Sequence, residues 1–395
     1  MPAQRLYLDH LATTPLAAEA REAMLPFLAD ECGLPSSLHR EGLRAKEAVE
    51  QARASFASLL GASDTESIIF TSSGTEAGNL AIKGLAQARA AQGRHLVLSE
   101  AEHPAVMESV AFLERQGWTV TRVPVDSKGF INPEQIASAI RPDTVLVAAH
   151  LSNHDSGAVQ PVAKIARIAR ERGVAVFCDA TTGGGWLSAD VGQLGVDLLS
   201  LSPHRFFGPK GAGVLYRRSG LELAPLIHGG RQEHGLRAGP LNVAAIAGAG
   251  VAAILAKEHM QDRAAKCREL ILQLWEGLTN EIQHIKLNGP EPGPDRDPRH
   301  LNVSFEFIEG EALMLLLDLN GVSVTAATGC VSKNMKISPV LKAMGVEIDL
   351  ALGAILFSPG PDQTGDDIRS VVAKTAKAVA RLRDMSPGKR GQSIF

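Results

Sequence analysis

Cysteine is scarce in this chain: Cys32, Cys178, Cys267 and Cys330 are the only four among 395 residues. Their wide, irregular spacing forms no CxxC pair and no zinc-ligand register, which argues against both a disulfide framework and a small zinc module. Net charge is also nearly absent. Forty Lys plus Arg stand against 43 Asp plus Glu, a balance of -3 with no basic block. The electrostatic footprint of a protein that binds nucleic acid or an anionic membrane is therefore missing. No apolar run approaches the ~18 to 20 residues that span a bilayer. The start MPAQRLYLDH has neither a basic n-region nor an apolar h-region. The expectation is a cytoplasmic protein with reduced thiols and no membrane or nucleic-acid partner. Internal repeats and low-complexity blocks are lacking as well.

What is present is a globular composition, 45% hydrophobic over 395 residues. Single cores stop growing near ~250 to 300 residues, so two domains are expected. Between Thr65 and Arg218, short Val, Leu and Ile runs alternate with amphipathic stretches, the pattern of a mostly parallel sheet covered by helices. The strand candidates are 67–71, 95–100, 119–125, 144–150, 174–179, 197–202 and 213–218, with a helix over 43–60 before them. From Val243 a long helical pattern follows, as one helix or two. The rhythm then changes at a Pro- and Gly-rich loop, 288–300. The expected division is a large domain over 16–255 and a small α+β domain from 1–15 plus 256–395.

In such sheets ligands collect at the carboxyl ends of the strands. After the first strand, Ser72-Ser73-Gly74-Thr75-Glu76 opens a helix whose exposed N–H groups would suit a phosphate. The same residues read equally well as an ordinary N-cap with a capping-box Glu. His103 follows the second strand, where a lone imidazole is more often structural. Asp179 ends an apolar strand, where burial calls for a cation or N–H partner. Ser202-Pro203-His204-Arg205 follows the sixth strand.

The order of these signals resembles the fold-type I enzymes that use pyridoxal 5'-phosphate (PLP), and within them the class V cysteine desulfurases of the NifS and IscS type. The stretches that carry the likeness include LDHLATTPL (8–16), FTSSGTEAGNLAIKG (70–84), GPKGAGVLY (208–216) and HGGRQEHGLRAG (228–239). The resemblance implies an α/β chain with the PLP-dependent transferase fold, its large domain built on a mostly parallel seven-stranded sheet. It implies Gly74 and Thr75 at the cofactor phosphate, His103 stacked on the pyridine ring and Asp179 at the ring nitrogen. Ser202 and His204 match the residues before the cofactor lysine, and Cys330 matches the loop cysteine that attacks the substrate sulfur. It further implies a homodimer in which residues 228–240 approach the partner's pocket.

Departures from the pattern gather in the same place. Arg205 stands where the family has its lysine, and a guanidinium is neither a practical Schiff-base nucleophile nor an effective general base near neutral pH. His154 replaces an Asn that meets the cofactor's phenolic oxygen, and Thr182 replaces a Gln. Pro240 replaces a phosphate-binding Thr, and Pro361 replaces the Arg that holds the substrate carboxylate. The expectation is a degenerate desulfurase homologue in which PLP does not form an internal aldimine and Arg205 turns to neutralise Asp179. Cys330 would then serve sulfur transfer, or an iron-sulfur or other metal centre with His103, His154 and His204 as further candidate ligands. A sulfur acceptor or iron-sulfur scaffold protein is the matching partner. The alternatives are an enzyme that binds PLP noncovalently and acts on L-cysteine or another amino acid, and a structural partner of an active paralogue.

Overall fold

A computed structural model describes residues 5–326 and 337–385 of the chain. Strand β1 (Leu6–Tyr7) opens it. The seven apolar runs expected as strands are extended: β2 (Ile68–Thr71), β3 (His95–Ser99), β4 (Thr119–Val123), β5 (Thr144–His150), β6 (Ala175–Asp179), β7 (Leu198–Leu201) and β8 (Gly213–Arg217). They form one sheet in the order β2-β8-β7-β6-β5-β3-β4. Pairing is parallel from β7 through to β4, and only β8 runs against its neighbours. The central strands β3, β5, β6 and β7 are buried along their whole length. Their continuous Val, Leu and Ile content follows from helices covering both faces.

A second sheet comprises β9 (Ile285–Asn288), β10 (Leu301–Phe305), β12 (Thr325–Ala326) and β13 (Ala354–Phe357) in the order β12-β13-β10-β9, all antiparallel. The intervening strand β11 (Val322–Ser323) pairs in parallel with β1, so the N-terminus joins this part of the molecule. Each sheet has its own apolar core, with Phe70, Val97, Val147 and Leu199 in one and Leu8, Val303, Phe305 and Phe357 in the other.

The helical pattern after residue 242 is a single helix, Val243–Glu281. Its residues up to Cys267 lie in the large-sheet core and those from Leu270 in the small-sheet core. The boundary expected between residues 255 and 256 therefore falls inside a continuous helix. This helix is also long and apolar enough to cross a membrane by composition. Its apolarity has another use here, because Ala245, Ala249, Ala252, Ala256, Leu270 and Leu274 are buried in protein. The sequence pattern hid its length because Lys257, Glu258 and Asp262 interrupt the apolar run on one side.

The segment 228–240 is fastened to the large sheet by a buried ion pair. Arg53, in the helix Arg40–Leu60, donates from Nη2 to Glu233 Oε1 at 2.8 Å and from Nη1 to Oε2 at 3.0 Å. Glu233 Oε2 also accepts the Phe70 N–H at 2.7 Å. These three bonds hold Glu233 and His234 in left-handed backbone conformations, with φ of 47° and 58°. Such conformations are costly for residues with a Cβ and persist where surrounding bonds impose them. Truncating one partner of a buried pair strands the other charge. Arg53→Ala is expected to lower unfolding stability by about 3 to 5 kcal/mol, measured by chemical denaturation of purified protein. A loss within error of zero would show that the pair does not fasten this segment.

Candidate functional site

The carboxyl ends of β2, β3, β6 and β7 meet around one cavity of about 90 Å³. Gly74, Thr75, His103 and Asp179 line it, together with Ser202, His204 and Arg205. Seven residues singled out from four sequence-distant segments thus face one space. Thr182 and His154 flank it: Arg205 Nη1 donates to Thr182 Oγ1 at 3.0 Å, and the His154 ring meets the His103 ring edge to face at 5.1 Å. Cys330 lies outside the described residues.

The loop after β2 enters the cavity through Gly74. Ser73 caps the helix that begins there, accepting the Glu76 N–H at 3.1 Å. Glu76 reaches back to the Ser72 N–H at 2.8 Å, which completes a reciprocal cap, and Arg237 binds its other oxygen at 3.0 Å. A Cβ built on Gly74 would overlap Ser202 Oγ and Thr181 Cγ2. Glycine is required here for close approach, so the capping reading and the pocket reading both apply to this loop.

Asp179 is 6% exposed. Its Oδ1 accepts the Thr181 N–H and the Ser200 hydroxyl, both at 3.0 Å. Burial pushes its pKa up, but the nearby His103 and these two donors outweigh it and hold the carboxyl below its usual range. The ion pair expected between Arg205 and Asp179 is not formed. The carboxylate is satisfied by its own strand-end neighbours, while the Arg205 turn aims the guanidinium at Thr182.

The imidazoles are uncharged. Burial, then the His154 ring, lowers the His103 pKa to about 4. Burial, with His150 and Arg205 beyond it, lowers His154 to about 3. Burial and the Arg205 cation lower His204 to about 4. His103 Nδ1 accepts the Ala105 N–H at 3.1 Å as the cap of the helix Pro104–Glu114, which leaves its proton on Nε2. His204 Nδ1 is taken by Thr13 Oγ1 at 3.1 Å. With ring nitrogens committed in this way, no three His, Cys, Asp or Glu side chains among the described residues are grouped so as to hold a metal ion.

Several residues that position the site were not singled out individually in the sequence. Arg299, in the Pro- and Gly-rich loop, is wholly buried and bonds Asp297 Oδ2 at 3.2 Å. It also donates to the Thr182 carbonyl at 2.7 Å and the Arg205 carbonyl at 3.2 Å. Its guanidinium stacks on Trp186 at 4.3 Å, whose Nε1 also donates to the Arg205 carbonyl at 2.8 Å. His300 supports the His154 loop. Arg296 can only donate, so its 3.1 Å contact makes His300 Nδ1 an acceptor, and His300 Nε2–H then donates to the His154 carbonyl at 3.2 Å. Gly157, at φ 72°, gives that ring its space. From LDHLATTPL, Thr14 accepts the Phe207 N–H at 2.6 Å and donates to the His204 carbonyl at 3.0 Å. Glu102 is wholly buried within electrostatic reach of Asp179 and is bonded through Oε1 to His150 Nδ1 at 2.8 Å. Of the two departures at proline, Pro240 is exposed and Pro361 half-buried.

Residues 6–371 match the family model described as aminotransferase class-V. The chain is 42% identical over 391 residues to a cysteine desulfurase IscS of Dictyoglomus turgidum, covering 99% of this chain and 98% of that protein. It is 41% identical over 382 residues to a cysteine desulfurase IscS of Methanosarcina thermophila, covering 97% and 94%. Among solved structures, a NifS-like protein superposes with a TM-score of 0.90 at 34% identity, over 96% of this chain and 100% of that one. A structure described as SspA in complex with cysteine does so with a TM-score of 0.79 at 34% identity, over 91% and 100%.

Two outcomes follow from the geometry. Gly74→Ala is expected to cost about 1 to 3 kcal/mol through overpacking against Ser202 and Thr181, read as a shift in the denaturation midpoint. The histidines set a pH dependence. Unfolded imidazoles take up a proton near pH 6.5, whereas His10, His103 and His204 do so only near 4 and His154 near 3 when folded. Between those values the unfolded chain binds more protons, so this contribution is complete above about pH 6.5 and is lost as the pH falls towards 4. Asp155, raised by burial to about 6, and Glu102 and Asp9, also raised by burial, oppose it, since their contribution falls as the pH rises. The four imidazoles outnumber them. Thermal unfolding at pH 5 should therefore begin at a lower temperature than at pH 7, and the reverse order would refute the neutral-histidine assignment.

Proposed function

The chain belongs to the class-V aminotransferase family, as a homologue of the cysteine desulfurases, and from that premise we propose that it does not carry out ordinary PLP-dependent desulfuration. In this reading it keeps the desulfurase scaffold, and Cys330 serves sulfur transfer or iron-sulfur or metal binding. One observation carries the proposal. Arg205 occupies the lysine position of the family pattern, lines the cavity and directs its guanidinium to Thr182.

The donor set was weighed against the cofactor end by end. Asp179, held ionised at a strand end, suits a protonated ring nitrogen. Gly74 and Thr75 offer the start of a helix to a phosphate. The capturing amine is what fails: a guanidinium keeps its proton and does not attack an aldehyde. PLP bound covalently does not fit these residues, and no step through it is open to the pocket. Pro240 and Pro361 support the same conclusion, since each replaces a family contact to cofactor or substrate with a side chain that has no donor, and His154 puts an imidazole where the family has an amide.

Cys32 is exposed while Cys178 and Cys267 are buried, with burial pushing the Cys267 thiol up to about 12. Buried, unionised thiols are inert. Of the other two, Cys330 is assigned to sulfur chemistry by its match to the family's loop cysteine, a match that Cys32 lacks. A homodimer and a cytoplasmic sulfur acceptor or iron-sulfur scaffold protein complete the proposal.

The test is a sulfide-release assay with L-cysteine, run beside an absorbance spectrum of the protein with added PLP. No sulfide above the protein-free rate is expected from the unmodified chain. Arg205→Lys alone is expected to leave release far below that of an active homologue, because Pro240 and Pro361 remain. Robust turnover by the unmodified protein would overturn the reading, and turnover by Arg205→Lys would show that the lysine was the only barrier.

A further inference from the structure

We propose that Glu102 keeps its proton in the folded protein at neutral pH, so that of two neighbouring buried carboxyls Asp179 alone carries a negative charge. Asp179 lines the cavity and Glu102 does not, which makes Glu102 a positioning residue that acts through the charge it leaves on Asp179. The inference is independent of the reading above and holds whichever reaction the pocket supports.

Glu102, His150 and Asn153 form a chain from the end of β3 to the loop after β5. Asn153 is oriented by its carbonyl oxygen, because Oδ1 accepts the N–H groups of Asp155 at 2.9 Å and Ser156 at 2.8 Å. Its Nδ2 donates to the Ala101 carbonyl at 2.9 Å and faces His150 Nε2 at 3.4 Å. An amide nitrogen can only donate, so His150 Nε2 is the acceptor and bears no proton. The one ring proton is therefore on Nδ1, which donates to Glu102 Oε1 at 2.8 Å. The His150 backbone N–H reaches the same oxygen at 3.3 Å. Glu102 thus meets two uncharged donors, both on Oε1. Its Oε2 is buried and has no hydrogen-bond partner among the described residues.

An ionised Glu102 in that setting would be a buried charge with no cation beside it, which is costly. Asp179 adds to the cost. The pairing of β5 with β6 sets His150 opposite Asp179, and Asp179 stands within electrostatic reach of Glu102. Two carboxyls that share a region closed to water do not both ionise readily. Asp179 has the Thr181 N–H, the Ser200 hydroxyl and the nearby His103 to favour its charged form, whereas Glu102 has an oxygen with no donor. The proton therefore stays on Glu102. The other titratable groups on this side do not alter the balance: His103, the next residue, is uncharged, and burial keeps the Cys178 thiol unionised. In agreement, burial raises the Glu102 pKa and the His150 contacts do not offset it.

The experiment is infrared spectroscopy of the full-length protein at neutral pH, with and without isotope-labelled glutamate, beside the Glu102→Gln variant. A protonated-carboxyl band that moves with the label is expected in the unmodified protein and is expected to be missing from Glu102→Gln. Thermal unfolding supplies a second readout. A glutamate that keeps its proton when folded loses it near pH ~4.3 when unfolded, so its contribution to stability falls as the pH rises above that value. Glutamine has no such dependence. The midpoint of Glu102→Gln is therefore expected to rise relative to that of the unmodified protein between about pH 5 and about pH 7, whereas a merely structural role would shift it equally at both. A band absent from the unmodified protein or retained in Glu102→Gln would overturn the proposal, as would a midpoint difference that stays constant or turns against the variant as the pH rises. Glu102 and Glu233 are the buried glutamates among the described residues, and Glu233 is paired with Arg53. The labelled band of the unmodified protein thus decides the matter even if Glu102→Gln does not fold.

Discussion

Arg299 is the side chain on which the arrangement of the pocket depends. It is wholly buried, paired with Asp297 and stacked on Trp186, and it donates to the carbonyls of Thr182 and Arg205. One guanidinium thereby ties the loop before β10 to the turns that follow β6 and β7. Removing a charge of this kind from water is expensive, and the cost is offset only because the ion pair and carbonyl acceptors surround it. That requirement makes the local geometry specific. The two turns must present their carbonyls to the same group, which fixes where Arg205 begins and hence where its own guanidinium ends.

The N-terminal segment acts on the same turn from the opposite side. Thr13 and Thr14 engage His204 and Phe207, and Phe207 is held at a φ of 68°. A left-handed phenylalanine is unfavourable in isolation and is maintained by the bonds around it. The result is a rigid 202–207 turn that sets a permanent cation beside neutral imidazoles and across a cavity from a carboxylate. This separation of charge, more than the presence of any one residue, gives the pocket its chemical character. A lysine at the same position would be a compact amine that can lose its proton, whereas the arginine keeps its charge and its planar donors.

Much of the architecture was legible along the chain. Short apolar runs identified all seven strands of the large sheet, because buried parallel strands have little freedom in composition. The positions at their carboxyl ends pointed to Gly74, His103, Asp179, Ser202 and Arg205, since strand ends in an open α/β sheet converge on one edge. The long helix from Val243 was less legible. Its first part packs in one core and its last part in the other, so no uniform pattern marks its length. The loop 288–300 was read only as a break in rhythm, because nothing local distinguishes a solvated arginine from one sealed beneath two turns.

The sequence by itself determined the class of fold, the strand-end residues and the loss of a lysine, because these depend on local pattern and on side-chain chemistry. Tertiary structure alone decided where the charges lie. It paired Asp179 with Thr181 and Ser200 instead of Arg205, sent Arg205 to Thr182, and made Arg299 the buried support of both turns. Those outcomes depend on which donors and acceptors are brought together from distant segments when water is excluded, and spacing along a chain does not encode that distance.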